Sequence, residues 1–304
     1  MTKGNILVSG GAGYIGSHAV LALIDAGWTP VVYDNLSTGF GWAVPDAVPL
    51  IEGDIADGDT LCAVMHDHAI MGVMHFAGSI IVPESISEPL KYYANNTANS
   101  RTLIEAAVAS GVRHFIFSST AATYGTPDKV VIDEATPQVP INPYGASKLM
   151  TEWMLRDVAA AHDFNYGALR YFNVAGADPD ARTGQSTAGA THLIKVAVEA
   201  ALGKRDHVTI FGSDFDTDDG TGVRDYIHVS DLAAAHVLAL QALVDDPATS
   251  LTFNCGYGRG YSVVEVLDAV DRVTNLKIAR EWADRRPGDP AALVADSRAI
   301  QARL

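Results

Sequence analysis

The chain has 304 residues, 48% of them hydrophobic, which suffices for one large α/β domain or two modest ones and excludes a peptide or disulfide-stapled miniprotein. Its 21 basic and 36 acidic residues give a formal net charge of −15, which argues against a general nucleic-acid or anionic-membrane surface. Any anionic ligand must therefore meet local positive potential, and two cysteines, Cys62 and Cys255, with neither metal spacing nor a disulfide framework, predict a reducing cytoplasm.

The opening apolar run, Ile6 to Val8, is too brief for a signal-peptide core, and no later stretch reaches the length of a membrane span, so a soluble protein is expected. From Asn5 to about Phe172, short apolar runs alternate with helical patterns, the signature of parallel βαβ units. The pattern predicts strands at 5–9, 29–33, 73–75, 113–118 and 168–172, and helices at 14–26, 59–68, 89–110 and 144–162. The purely apolar runs Ile6-Leu7-Val8 and Phe115-Ile116-Phe117 predict a sheet covered on both faces. The fold class is thus α/β, a doubly wound Rossmann-type parallel sheet over 1–172. Beyond Phe172 the chain turns Gly- and Asp-rich, with helices predicted at 191–202, 230–244 and 262–274. This half, 173–304, reads as a smaller C-terminal substrate domain with some segments returning to the first.

The first strand runs into Gly10-Gly11-Ala12-Gly13-Tyr14-Ile15-Gly16, a G-x-x-G-x-x-G loop opening a helix. Glycines permit the tight turn and let backbone N–H groups, those of Tyr14 and Ile15 included, approach a pyrophosphate at a helix N-terminus. The second strand ends at Asp34, followed by Asn35, where a carboxylate can bind both ribose hydroxyls; it would repel a 2′-phosphate, which favours NAD over NADP. Asp54-Ile55 and Phe76-Ala77-Gly78 close two further strand-like segments, and ligands collect at such carboxyl ends. Proton and hydride chemistry is suggested by Tyr144 and Lys148, which a helix places on one face, with Pro143 marking the helix start. A nearby ammonium is expected to lower the tyrosine pKa toward working pH. Ser118-Ser119-Thr120, at the end of the fifth strand, supplies a hydroxyl for the reacting oxygen.

Taken together, Gly10-x-x-Gly13-x-x-Gly16, Asp34, His75-Phe76-Ala77-Gly78, Phe117-Ser118-Ser119-Thr120, Tyr144-x-x-x-Lys148 and Arg170-Tyr171-Phe172-Asn173 resemble an extended short-chain dehydrogenase/reductase. Tyr92-Tyr93-Ala94-Asn95-Asn96 and Gly222 to Val229 are similar to the UDP-glucose 4-epimerases within it, which interconvert UDP-glucose and UDP-galactose. The resemblance runs from Asn5 to about Ser297. It implies a bound NAD that is not consumed, with Tyr144 as base on the sugar 4-hydroxyl while hydride passes from C4 to the nicotinamide. Thr120 would hold the same oxygen, and Lys148 would bind the nicotinamide ribose. The 4-ketose would then turn over in the pocket and take hydride back on its other face. Ser118, Asn95 and Tyr171 would lie beside the nicotinamide. Asn173, Phe211, Arg224, Arg286 and Asp289 would bind UDP, with Thr191 and His192 nearby, and the two arginines would supply the local positive charge. The family also implies a homodimer, paired through helices 89–110 and 144–162.

Several positions depart from the family pattern. Thr120 stands where several members carry Ser, and Ser79-Ile80-Ile81-Val82 follows His75-Phe76-Ala77-Gly78 where some place a phosphate-binding lysine. The position that gates an N-acetyl group falls at Leu293, smaller than the aromatic of strict enzymes and larger than the small residues of tolerant ones. Relatives usually continue for roughly another thirty residues as a terminal helix. No metal is expected: Asp214, Asp216, Asp218 and Asp225 are spaced like a calcium loop, but Asp219 replaces its glycine and the twelfth position is Asp. His66 and His68 point in different directions, and Cys255 reads as a small buried hydrophobe. A 4,6-dehydratase would carry Asp-Glu where this chain has Ala121-Ala122, and a non-catalytic NAD sensor would lack Tyr144 and Lys148.

Overall fold

In strand β1 (Asn5–Ser9), Ile6, Leu7 and Val8 expose no surface, as a doubly covered sheet requires. The structure, a computed structural model, describes residues 3–286 and 289–304. After β1 come α1 (Tyr14–Asp25), β2 (Thr29–Asp34), β3 (Leu50–Glu52), α2 (Gly58–Asp67) and β4 (Ile70–His75). Short helices α3 (Val82–Ser87) and α4 (Pro89–Tyr92) then run into a π-helical turn, Tyr93–Ala98, and α5 (Asn99–Ala109). Strand β5 (His114–Thr120) is followed by β6 (Val131–Ile132), α6 (Pro143–Ala161) and β7 (Asn165–Tyr171).

The second half contributes β8 (Asn173–Ala175), α7 (Leu193–Ala201), β9 (Val208–Phe211), β10 (Val223–His228), α8 (Val229–Asp245) and β11 (Leu251–Cys255). It ends with β12 (Gly260–Ser262), α9 (Val263–Thr274), β13 (Arg280–Ala283), β14 (Ala292–Ala295) and α10 (Arg298–Arg303). Seven strands form one parallel sheet in the order β11-β7-β5-β4-β1-β2-β3. The strand order reverses between β1 and β4, which opens a crevice at their carboxyl ends.

Both faces of that sheet are covered. Leu23 of α1 and Leu232, Leu240 and Leu243 of α8 pack on Ile6, Val8 and Ile116, while Leu61 of α2, Leu103 of α5 and Leu155 of α6 pack on Leu7, Phe115 and Phe117. Each such fully buried side chain contributes about 1.5–3 kcal/mol relative to exposure. Residues 229–255 thus belong to the main sheet although they follow the first half in sequence. The rest of the second half forms a small sheet, β12-β10-β14-β6 with β8 also on β10, and the pair β13-β9 beneath α7 and α9.

The predicted strands and helices of the first half are present with ends shifted by one to three residues. The helix expected over 89–110 is interrupted, since its second and third turns widen into the π-helical segment. The helix expected from Thr191 begins at Leu193, which leaves Thr191 and His192 in the segment entering α7.

Candidate active site

At the reversal of strand order, the join of β1 to α1 leaves no room for side chains. Gly10 takes φ 75°, and a Cβ there would lie 2.5 Å from the Ala77 amide nitrogen. A Cβ on Gly16 would overlap the Gly10 carbonyl, whereas one on Gly13 would meet only that oxygen, at 3.3 Å. Gly13 is the N-cap of α1; no side chain caps it and no acid stands in the first turn. The N–H groups of Tyr14 and Ile15 and the positive end of the helix dipole are therefore left for an anion. Phe76 and Ala77 both donate to the Ser9 carbonyl, at 2.8 and 3.1 Å, which ties the end of β4 to that of β1.

Asp34 closes β2 beside this loop. Its carboxylate accepts from the Ala12 N–H at 2.9 Å and the Leu36 N–H at 2.8 Å, one on each oxygen, so a further lone pair on each is free for ribose hydroxyls. Asn35 donates to Asp54 at 3.0 Å, bringing both to the same rim. The Ile55 side chain is buried with Leu7, Val31 and Tyr33, so only its backbone can serve a ligand. The uncapped helix, the bare glycine and the carboxylate on the next strand fit a dinucleotide. Asn95 donates to the Ser79 hydroxyl at 2.9 Å, and the buried Asn96 side chain holds Ser79 N–H and C=O at 2.7 and 2.9 Å. Ser79 is thus fixed by two asparagines.

Tyr144 lies in the first turn of α6. Asn142 caps that helix by accepting from Gly145 N–H at 2.9 Å, and Pro143 fills the first position. Gly145 is required by closeness, since a Cβ would overlap the Ala122 carbonyl. The phenol is buried, packs edge-on against Tyr92 with ring centroids 6.4 Å apart, and lies close to the Thr120 hydroxyl. Burial pushes the Tyr144 phenol up, and the Thr120 hydroxyl opposes this only in part. This corrects the expected lowering by Lys148: at the site as it stands, desolvation of the phenolate wins. Lys148 donates to the Ser118 carbonyl at 2.9 Å and lies 4.7 Å above the Phe117 ring. Burial pushes its amine down to about 8, against the attraction of Glu152. The Tyr171 hydroxyl meets that of Ser118, and burial raises its pKa.

On the substrate side, the Arg224 guanidinium reaches Asp289 at 3.1 Å and the Val223 carbonyl at 2.8 Å. Arg286 stacks 3.8 Å above the Phe211 ring. Leu293 pairs in register with Arg224, and Asn173 with Tyr226. His192 hydrogen-bonds Gln185 at 2.8 Å, and burial pushes its pKa down; Thr191 is exposed. The structure therefore joins Arg224 to Asp289 and Arg286 to Phe211. Among the described residues neither Thr191 nor His192 bonds to those four. Sequence reasoning missed Glu152, buried against Arg170, although its spacing of eight from Tyr144 puts it on the same helical stripe.

Two of the four acids spaced like a calcium loop are engaged with protein groups. Asp225 is fully buried and accepts from the N–H groups of Tyr257, Gly258 and Ala295, and Asp214 pairs with Arg285. Cys255 is buried, and burial pushes its thiol up.

Comparison with known proteins extends this geometry. Residues 6–256 match the profile of the NAD dependent epimerase/dehydratase family. A UDP-glucose 4-epimerase of Azospirillum brasilense is 59% identical over 98% of this chain and 86% of its own length. The crystal structure of UDP-glucose 4-epimerase from Brucella ovis in complex with NAD superposes with a TM-score of 0.95 at 45% identity, covering 99% of this chain and 92% of that one. The UDP-Glc/GlcNAc 4-epimerase of Campylobacter jejuni gives 0.85 at 48% identity, with coverage of 99% and 92%. Likeness of this extent, in sequence and in fold alike, establishes that the chain belongs to the NAD dependent epimerase/dehydratase family.

Proposed function

We propose that the protein interconverts UDP-glucose and UDP-galactose by inverting C4 of the hexose. The observation that carries this reading is the meeting, at the end of β5, of the buried Tyr144 phenol, the Thr120 hydroxyl near it and the buried Lys148 amine one helical turn on. NAD, when bound, would supply a reversible hydride acceptor for C4. The first turn of α1 would hold its pyrophosphate and Asp34 its ribose, with Asn35, Asp54 and the 76–78 segment along the rim. Ser118, whose carbonyl accepts from Lys148 and whose hydroxyl meets that of Tyr171, would with Tyr171 and Asn95 lie beside the nicotinamide, and the remaining donors of Lys148 suit a ribose.

Tyr144 takes the proton of the 4-hydroxyl while Thr120 holds the same oxygen. Because burial disfavours the phenolate, Lys148 must contribute its positive charge for the base to form. Arg224 and Arg286 neutralise the diphosphate, the first oriented by Asp289 and the second by Phe211. Asn173, Thr191 and His192 complete the UDP side. Anchoring through UDP leaves the hexose loosely held, as turnover of the 4-ketose demands. The free thiols Cys62 and Cys255 suit a reducing cytoplasm. A homodimer is supported by the groove of about 320 Å³ between the π-helical turn and α6, lined by Tyr93, Thr97, Ala98, Met150 and Met154.

The test supplies UDP-galactose to the purified protein and assays UDP-glucose. Turnover is expected, and Tyr144→Phe should lower kcat by about a thousandfold, within the range of a positioned acid–base group. Absence of turnover in the parent protein rejects the reaction, and an undiminished mutant removes Tyr144 from its role.

A further inference from the structure

Helix α6 carries Tyr144, Lys148 and Glu152 at intervals of four, one stripe of a helix facing β5. Each meets a different residue at the end of that strand. The Thr120 hydroxyl stands close to the phenol, the Ser118 carbonyl accepts from the lysine, and the Ser119 hydroxyl donates to the Glu152 carboxylate. Glu152 and Arg170 are each only 6% exposed. Arg170 Nε lies 3.0 and 3.2 Å from the two carboxylate oxygens, its Nη2 lies 2.7 Å from Oε2, and Gln138 donates to Oε2 at 3.2 Å. The other end of the guanidinium donates to the Tyr124 hydroxyl at 2.8 Å. A carboxylate so fully desolvated is costly unless every partner is in place, and nothing in the proposed chemistry touches it.

We propose that Glu152 is a positioning residue of the site, whose negative charge keeps the Lys148 amine protonated and whose hydrogen bonds hold α6 in register with β5. The inference rests on the reading that Tyr144 and Lys148 carry the chemistry. Lys148 is faced on its own helix by Tyr144 and Glu152 and from β4 by His75, which burial pushes down to about 3 and so keeps neutral. From β7, Tyr171 lies near Tyr144, and Arg170 is engaged with Glu152 and the Glu134 carbonyl. Glu152 is therefore the anion whose attraction counters burial of the amine. Removing its charge lets Lys148 lose its proton at lower pH. The alkaline limb of kcat/KM should then move toward neutrality by about one pH unit, the usual effect of one opposite charge close by.

Two variants test this, Glu152→Gln and the double variant Glu152→Gln with Arg170→Met, which leaves no unpaired buried charge and stays informative if the single variant fails to fold. The readouts are the pH profile of kcat/KM and the titration midpoint of the Lys148 Cε NMR resonance, assigned through Lys148→Arg. Both midpoints are expected to fall together, by about one unit in Glu152→Gln and by less in the double variant, where loss of the Arg170 cation offsets part of the effect. A folded double variant whose Lys148 titrates as in the parent overturns the proposal, even if its activity is uniformly lower. The NMR midpoint needs no turnover, so failure of the epimerase reading in the Tyr144→Phe test is distinguishable from failure of this one.

Discussion

Leu293 shows how one side chain can set what a pocket admits. It is 9% exposed and packs with Ala121, Tyr124, Ile132 and Phe172, directly beside the residue that follows Thr120. As the proposed gate, its bulk would limit the space next to Thr120, the hydroxyl proposed to hold the reacting oxygen. Leu293→Ala should raise kcat/KM for UDP-N-acetylglucosamine relative to UDP-galactose by about tenfold, the scale on which small changes in pocket volume discriminate substrates. An unchanged ratio rejects Leu293 as the gate. The same truncation is expected to cost about 2–5 kcal/mol of stability, so a thermal melt must accompany the kinetics. The Tyr144 phenol makes a second point at this scale. A Tyr-x-x-x-Lys spacing reveals proximity, but proton affinity depends on how dry the phenol is, and burial across Thr120, Tyr92 and α6 is not written in four residues. The Glu152–Arg170 pair was illegible for a related reason, since its partners come from a helix and a strand that only the fold brings together.

At the scale of elements, the join of β1 to α1 is the most constrained piece of backbone in the site. Gly16→Ala would drive a methyl group into the Gly10 carbonyl and push α1 off the loop. NAD retained through purification, measured as nucleotide released on denaturation, should fall at least about tenfold, which corresponds to a loss of about 1.4 kcal/mol. Retention equal to the parent's removes the loop from cofactor binding. Five of the seven strands of the main sheet, all but β3 and β11, were legible through apolar runs such as Ile6-Leu7-Val8 and Phe115-Ile116-Phe117, which have no exposed surface. Strands β3, β6 and β8 were not legible, because two or three residues carry no period and their partners lie far away in sequence. The π-helical turn over Tyr93–Ala98 has no sequence signature either, yet it sets where Asn95 and Asn96 meet Ser79.

At the scale of the whole molecule, a net charge of −15 leaves no basic surface for the proposed diphosphate ligand, so the proposal gives its neutralisation to two arginines, Arg224 held by Asp289 and Arg286 stacked on Phe211. The groove between the π-helical turn and α6, with Trp153 of α6 47% exposed, is an apolar face suited to a second copy. Light scattering at micromolar concentration should give a dimer mass for the parent and a monomer mass for Ala98→Glu, whose charge would be buried in the pairing. A monomeric parent removes the dimer.

The placement of β11 at the edge of the main sheet, beyond β7, bears on how the protein is made. An emerging chain that has reached residue 172 still lacks that edge strand and the α8 cover, so the hydrogen-bonding groups of β7 and the apolar face over Ile6 and Ile116 have no partners. The nucleotide-binding half cannot mature ahead of the substrate half. Its completion waits for Cys255 to leave the ribosome, a long-range closure that slows folding and lengthens the interval in which a bare sheet edge is open to misassembly.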